Sequence, residues 1–292
     1  MMAILKQMVL RNLRLYLRDR AAVFFSFLSV IIILALYILF LGRMHSDSII
    51  QNFGDVDGAE WLVASWIMAG LVMVSTVTVP LGAVGKLIDD RADGMINDFY
   101  TSPINRNILA LSYLISSWVI GFIMVMANLA IGQIYVLSQG GELMSLLGYA
   151  KTIGLLILSI MTFSSFFFFL SLYIRTRNAW GTLSTLVGTF IGFLGGIYIP
   201  IGVLDKSVQN VMNVLPTAHA VTIIRRVYME RAINHVFEGV PDEAYQGYAD
   251  AFGININIGD FTMTSPQMLL SMVTFMLVFY VLSVWKLSRT KL

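Results

Sequence analysis

The stretch WLVASWIMAGLVMVSTVTVPLGA, residues 61–83, carries no charged side chain in 23 consecutive positions. A helix needs about 20 apolar residues to cross the ~30 Å hydrocarbon layer of a bilayer, and this run meets that length. Runs of the same kind recur near 22–41, 108–137, 152–174, 180–200 and 266–285. Together they predict an all-α membrane protein with six transmembrane helices and both termini on one side. The run 108–137 is long enough to tilt or to reach into one headgroup layer. The whole chain, 1–292, reads as a single transmembrane domain.

Composition agrees. Only 12% of the residues are charged against 58% hydrophobic, with a mean hydropathy of +0.79, whereas a soluble domain is about 25% charged. The absence of cysteine excludes disulfides, thiolate nucleophiles and cysteine-bound zinc. His45, His219 and His235 are too scattered to suggest a metal site. A net charge of +2 gives no special attraction to nucleic acid. The first apolar run follows a basic stretch, as in a signal peptide, but exceeds a signal core and lacks a small-residue cleavage site, so it reads as a retained span.

Lys and Arg set the orientation. With the N-terminus inside, 13 basic residues fall in inner segments and 6 in outer ones, while the acidic residues split five inside to twelve outside. Both termini are therefore expected in the cytoplasm. Residues 1–21 are expected to form an amphipathic interfacial helix, with Gln7, Arg11, Arg14 and Arg18 on one side and Leu5, Val9, Leu13 and Tyr16 opposite. Segment 84–107 is the most charged in the chain and is expected to hold a short cytoplasmic helix, with Leu87, Ile88, Ile96 and Phe99 at helical spacing. Segment 201–265 is expected on the outer face, with an apolar, proline-interrupted start and an acidic, aromatic remainder.

Few motifs carry chemistry. Gly82-Ala83-Val84-Gly85-Lys86 lacks the first glycine and the final hydroxyl residue of a phosphate loop and follows a membrane helix, so the chain is not expected to hydrolyse nucleotide. No span centre offers Asp, Glu, His or Arg for a proton relay. Asn128 and Gln133 are the main polar groups at depth, suited either to interhelical hydrogen bonds or to a transport path. Ser184, Gly188, Gly192 and Gly196 fall four apart and predict one smooth small-residue ridge, bordering a subunit interface, a path, or simply a packed neighbour. Phe163 and Phe166–Phe169 read as packing and lipid-facing residues.

A family resemblance rests on the charged segment. Asp90-Arg91-Ala92-Asp93-Gly94, followed nine residues later by Pro103 in Thr101-Ser102-Pro103-Ile104, resembles the signature of ABC-2 type transporter permeases. Asp90 stands where Glu is commoner in that family, and Met95 where Thr is usual. Ile199-Pro200, Leu215-Pro216 and Arg225 resemble the family's proline-punctuated outer segment, whose short helices re-enter the outer leaflet. The resemblance implies a transport subunit of the bacterial plasma membrane with no catalytic residues and no cofactor of its own. ATP and Mg²⁺ would sit on two separate ABC ATPase subunits, and a second permease copy, identical or not, would complete the complex. It also implies that the cytoplasmic helix is a coupling helix, with Asp89, Asp90, Arg91, Asp93, Gly94 and Pro103 engaging the ATPase. On that view Arg91→Ala, Asp90→Ala or a bulky residue at Gly94 leaves the protein folded but uncoupled.

The apolar and aromatic walls, with no charged filter, point to export of an amphipathic or hydrophobic molecule such as a drug, antibiotic or peptide. The alternatives are a lipid-linked glycan carried by the same fold, or a channel or carrier outside this family. A membrane enzyme would need a nucleophile, metal or acid–base group at depth, and none of the spans shows one.

Overall fold

The computed structural model describes residues 2–41, 57–101, 104–259 and 261–289. Helix α1 (Met2–Arg18) leads almost directly into α2 (Arg20–Leu36), because Asp19 caps α2 by accepting from the Ala22 amide at 3.0 Å. A π-helical turn, Tyr37–Leu41, extends α2. The long α3 (Ala59–Ala92) is followed by the short α4 (Met95–Thr101), then α5 (Arg106–Ser138), α6 (Leu146–Ser171) and α7 (Arg177–Leu194). A cap of short elements comes next: a 3-10 turn at Ile201–Val203, α8 (Lys206–Asn213), α9 (Pro216–Tyr228), α10 (Glu230–Val236), α11 (Asp242–Ala251) and a two-residue hairpin, β1 (Asn257–Ile258) with β2 (Phe261–Thr262). Helix α12 (Ser265–Arg289) closes the described chain.

The centre of this arrangement is α3. Its apolar residues recur all round rather than along one stripe, which is the pattern of a helix surrounded by others, and Trp66, Met73 and Leu87 are among its fully buried side chains. Helices α2, α5, α6, α7 and α9 all pack on it. Pro80 lies inside α3 without ending it; a proline is tolerated in such a helix because neighbours and local adjustment re-satisfy the freed backbone. Close approach depends on small residues: a Cβ at Gly121 of α5 would lie 2.8 Å from Ile160 of α6. Polar contacts tie the helices at depth. Asn128 donates to the Ser75 hydroxyl at 2.8 Å, joining α5 to α3, and the Tyr149 hydroxyl donates to Gln133 at 2.9 Å, joining α6 to α5. Each such bond contributes about 0.6 kcal/mol on average within a membrane.

Five helices among the described residues are long and apolar enough to cross a bilayer: Arg20–Leu39, Ala59–Ala92, Arg106–Ser138, Leu146–Ser171 and Ser265–Arg289. The protein is thus an all-α, multi-pass membrane protein. The expected run 180–200 differs from the rest. Its helix, α7, has 18 residues, begins with Arg177 and Asn178, and stops at Leu194. The stop is a glycine cap: Gly196 takes φ +59°, its amide donates to Phe193 O and the Ile197 amide to Gly192 O, both at 2.8 Å, which is the hydrogen-bond pair of a Schellman ending.

The glycine contact gives a paired test. Gly121→Val should lower stability by about 1–3 kcal/mol through overpacking against Ile160. Gly154→Val should be near neutral, since no atom lies within 4 Å of the added Cβ. Thermal unfolding of both variants in detergent or nanodiscs measures the difference; equal melting temperatures would refute the packing described.

Candidate functional site

Two polar clusters lie near opposite ends of α3, one at Asp90 and one at Trp66. They are separated by 90 − 66 = 24 residues, about 36 Å of helix.

At the charged end, Asp90 is 3% exposed. Arg11 of α1 grips it with both terminal nitrogens, Nη1 to Oδ2 at 2.6 Å and Nη2 to Oδ1 at 3.1 Å, and the Tyr113 hydroxyl of α5 donates to Oδ2 at 2.6 Å. The guanidinium also lies 5.2 Å from the Phe99 ring centre of α4 and donates to the Met95 sulfur. Burial alone pulls the Arg11 pKa down, but the contacts with Asp90 and Tyr113 outweigh it and the net shift is upward. One carboxylate therefore joins α3 to α1 and α5, and through its arginine to α4. A bidentate, charge-assisted pair of this kind is strong and directional. The next residue, Arg91, donates to Ser171 O at 3.0 Å and Ile174 O at 2.8 Å, satisfying carbonyls freed at the C-terminus of α6.

Asp89 and Asp93 point elsewhere. Arg177, at the start of α7, bridges them at 3.2 Å and 2.5 Å, and Lys86 lies 3.4 Å from Asp89. Gly94 makes the turn into α4 with φ +77°, a conformation other residues adopt only at a cost. Helix α4 buries Ile96 in a cluster with Met8, Leu87, Leu109 and Tyr113, packs the half-buried Phe99 against it, and leaves Asn97 and Asp98 exposed.

The short helix expected within 84–107 is thus α4 alone, and Asp89, Asp90 and Arg91 belong to the last turns of α3. The reason is continuity: α3 runs on past Pro80 to Ala92, because Gly94, the first position with a positive φ after it, comes only then. Pro103 lies outside the described residues. The wheel drawn for residues 1–21 also changes. Arg11 faces the protein instead of headgroups, and the buried line of α1 is Met8, Asn12 and Tyr16 against α5. Arg11 and Tyr113 could not be read from the sequence as partners of Asp90, because 79 and 23 residues separate them and Asp90 is one of several charges in its segment.

At the other end, Arg225 of α9 has no exposed surface and no carboxylate partner among the described residues. Its Nη2 donates to Gly196 O at 2.9 Å and its Nη1 to Phe252 O at 3.1 Å, while the guanidinium sits 4.3 Å from the Trp66 ring centre. Burial lowers its pKa to about 10, with Tyr37 and Tyr248 opposing, so it remains a cation at neutral pH. Thr222 donates to Gly253 O and Arg226 to Ile254 O. Three successive carbonyls, 252 to 254, are thereby held by one face of α9. Pro216 begins α9 at its first helical position, where its missing N–H costs nothing; Pro200 precedes the 3-10 turn.

The expected small-residue ridge is not continuous. Gly196 stands beyond the end of α7, and Gly192 is covered by its own chain, an added Cβ lying 2.3 Å from the Tyr198 ring. Gly188 is open, with no atom within 4 Å of its Cβ position, and Ser184 is half-buried. Asn128 and Gln133 make the interhelical bonds already given.

Removing Asp90 orphans a charged arginine and a tyrosine hydroxyl. Asp90→Ala should therefore cost about 3 kcal/mol, as for one partner of a buried pair. Asp89→Ala, in an exposed cluster, should cost under about 1 kcal/mol. Denaturant or thermal unfolding separates the two; a fully stable Asp90→Ala protein would deny the clasp its structural role.

A comparison with curated proteins gives no match. A family model described as the ABC-2 type transporter matches residues 4–229, a range that takes in the Asp90 clasp, α7 and Arg225. The chain therefore belongs to the ABC-2 type transporter family.

Proposed function

We propose that this protein is the transmembrane subunit of an ABC exporter that moves an amphipathic or hydrophobic molecule out across the bacterial plasma membrane, driven by ATP hydrolysis on two separate ATPase subunits. On this reading the charged end with α1 and α4 faces the cytoplasm, both termini are inside, α7 completes a six-span bundle, and segment 201–265 lies outside.

The observation that carries the proposal is the seating of α4. One face is packed into the cluster around Tyr113, and the other presents Asn97, Asp98 and Thr101 to solvent. Any force applied to that face passes directly to Arg11 and Asp90, and so to α1, α3 and α5. That is the arrangement a rigid-body transmission needs, since packed interfaces switch between arrangements rather than deform continuously. Within the charged segment the exposed groups suited to an ATPase groove are Asp89, Asp93, Asn97 and Asp98. Asp90 and Arg91 act behind them as positioning residues, and Gly94 as the turn between the two sets.

The uncovered face of α7 supports a second permease copy and a path beside it. Thr182, Thr185, Gly188 and Thr189 are exposed next to Leu186 and Phe190. A face that mixes hydroxyls, glycine and large apolar groups without charge suits an amphipathic cargo better than it suits lipid alone. Gly188, rather than Gly192, is the ridge position at which a larger side chain meets nothing within its own chain.

Two measurements follow, both on the permease purified with its ATPase in nanodiscs. Asn97→Arg/Asp98→Arg should leave the melting temperature unchanged and reduce substrate-stimulated ATP hydrolysis by about tenfold or more, equivalent to 1.4 kcal/mol of coupling; full stimulation would place the joint elsewhere. Gly188→Leu should preserve assembly and abolish stimulation by a panel of hydrophobic drugs and peptides. Stimulation of the unmodified complex by lipid-linked sugars alone would defeat the drug or peptide reading.

A further inference from the structure

The cap contains a cavity of about 650 Å³ that neither the coupling end nor the α7 path uses. Such a volume falls in the range of small-molecule sites. One wall is the polar side of α8, where Lys206, Gln209, Asn210 and Asn213 recur at i, i+3, i+4 and i+7. Away from the cavity the same helix is apolar and bare, with Val208 and Val211 44% and 68% exposed, and Val214 just after its end 61% exposed. Helix α8 therefore turns a polar side to the hollow and an apolar side away from it. The facing wall is the end of α11 at Gly247 and Asp250, continued by Asn255, Asn257 and Thr262.

The facing wall is pre-ordered. Asp250 Oδ1 accepts from Asn255 at 3.0 Å and Asn257 at 3.2 Å, and the Thr262 hydroxyl donates to Asn257 Oδ1 at 2.7 Å. Asn213 is 3% exposed and fixed at two points. Its Nδ2 donates to Asn257 O at 2.9 Å, and its backbone carbonyl accepts from His219 Nε2 at 2.8 Å. Its Oδ1 is buried with no hydrogen-bond partner, an expense a fold rarely leaves unmet. Among the described residues Lys206 and Asn210 have no side-chain partner either.

We infer that this cavity is a binding site for a neutral, hydroxyl-rich head, namely a sugar unit presented either free or on a lipid. Carboxamides donate and accept at once, as hydroxyls do, so a lining dominated by Asn and Gln matches a polyol group for group. Among the described lining residues one lysine and one aspartate cancel, which disfavours phosphate on one side and a bare cation on the other. A single carboxylate beside an ammonium is also a poor calcium cage. Among the described lining side chains, Ile201 is the only large apolar one, so a hydrophobic drug finds little surface there. The site is independent of the cargo and direction proposed above, and its occupancy is read without ATP hydrolysis.

Gly247 supplies the decisive variant. It lies on α11 at the cavity wall with no atom within 4 Å of its Cβ position, so Gly247→Phe fills the hollow without disturbing the packing. The full chain in phosphatidylcholine nanodiscs is titrated with maltose and with inositol phosphate by saturation-transfer NMR. In parallel, hydrogen exchange over 206–213 and 250–257 is followed with and without a monogalactosyl lipid in the disc. Saturable maltose binding that Gly247→Phe abolishes and Asn210→Ala weakens by about tenfold supports the site and identifies a free sugar. Protection only by the galactolipid, lost in Gly247→Phe, supports it with a lipid-borne sugar. Binding by neither, preference for the phosphate, or binding indifferent to Gly247→Phe overturns the inference.

Discussion

Burial on every side makes α3 the reference against which the rest of the chain is placed. A helix 34 residues long and apolar all round has no solvent face to orient it, so its register must be set by polar contacts near its ends. Asp90 supplies one and Trp66 the other: the carboxylate is held by Arg11 and Tyr113, and the indole N–H donates to Phe252 O at 2.7 Å. Between them the contacts are mostly van der Waals, which set distance well and rotation poorly. The polar ends remove that freedom.

The two ends solve the same problem differently. A guanidinium out of water needs compensation for its lost hydration. Arg11, still partly exposed, finds a carboxylate. Arg225, fully buried, finds two carbonyls and the face of Trp66. An aromatic face and aligned carbonyls carry only partial negative charge, yet they surround the cation and leave no second ion to desolvate. Arg226 does likewise with Ile254 O and Ser265. These arginines count against the proposed orientation in a simple tally of Lys and Arg, but they are internal ligands of the cap rather than free flanking charges.

The contrast between α7 and the other long helices follows from the same physics. The hydroxyls of Ser75, Ser112 and Thr162 on α3, α5 and α6 bond back to their own helices and are buried, whereas Thr182, Thr185 and Thr189 of α7 bond back in the same way at 3.0, 3.0 and 2.9 Å but are exposed. On the proposed function, this exposed, uncharged face is the one that meets a second copy or a passing amphipathic molecule. Tyr198 folds back over Gly192 and ends that face before the cap begins.

The long uncharged runs determined the fold class and five of the membrane helices, because burial in lipid demands apolar residues at every turn and so leaves an unmistakable composition; the charged segment between two of them, Asp90–Gly94 with Pro103, carried the family resemblance and the expectation of a short helix. Asp90, Arg91 and Arg225 also stood out by type, as charges or signature residues. What each one does could not be read from neighbours in sequence. Whether a charge faces a partner subunit or the interior depends on residues 79 positions away in the case of Arg11 and Asp90. The four-residue spacing of Ser184, Gly188, Gly192 and Gly196 was equally ambiguous, since only the turn at Gly196 and the return of Tyr198 decide which of them remain open. The polar cavity of the cap was invisible for the same reason: α8, the end of α11 and the hairpin each look like ordinary polar connection, and only their convergence gives carboxamides a common hollow.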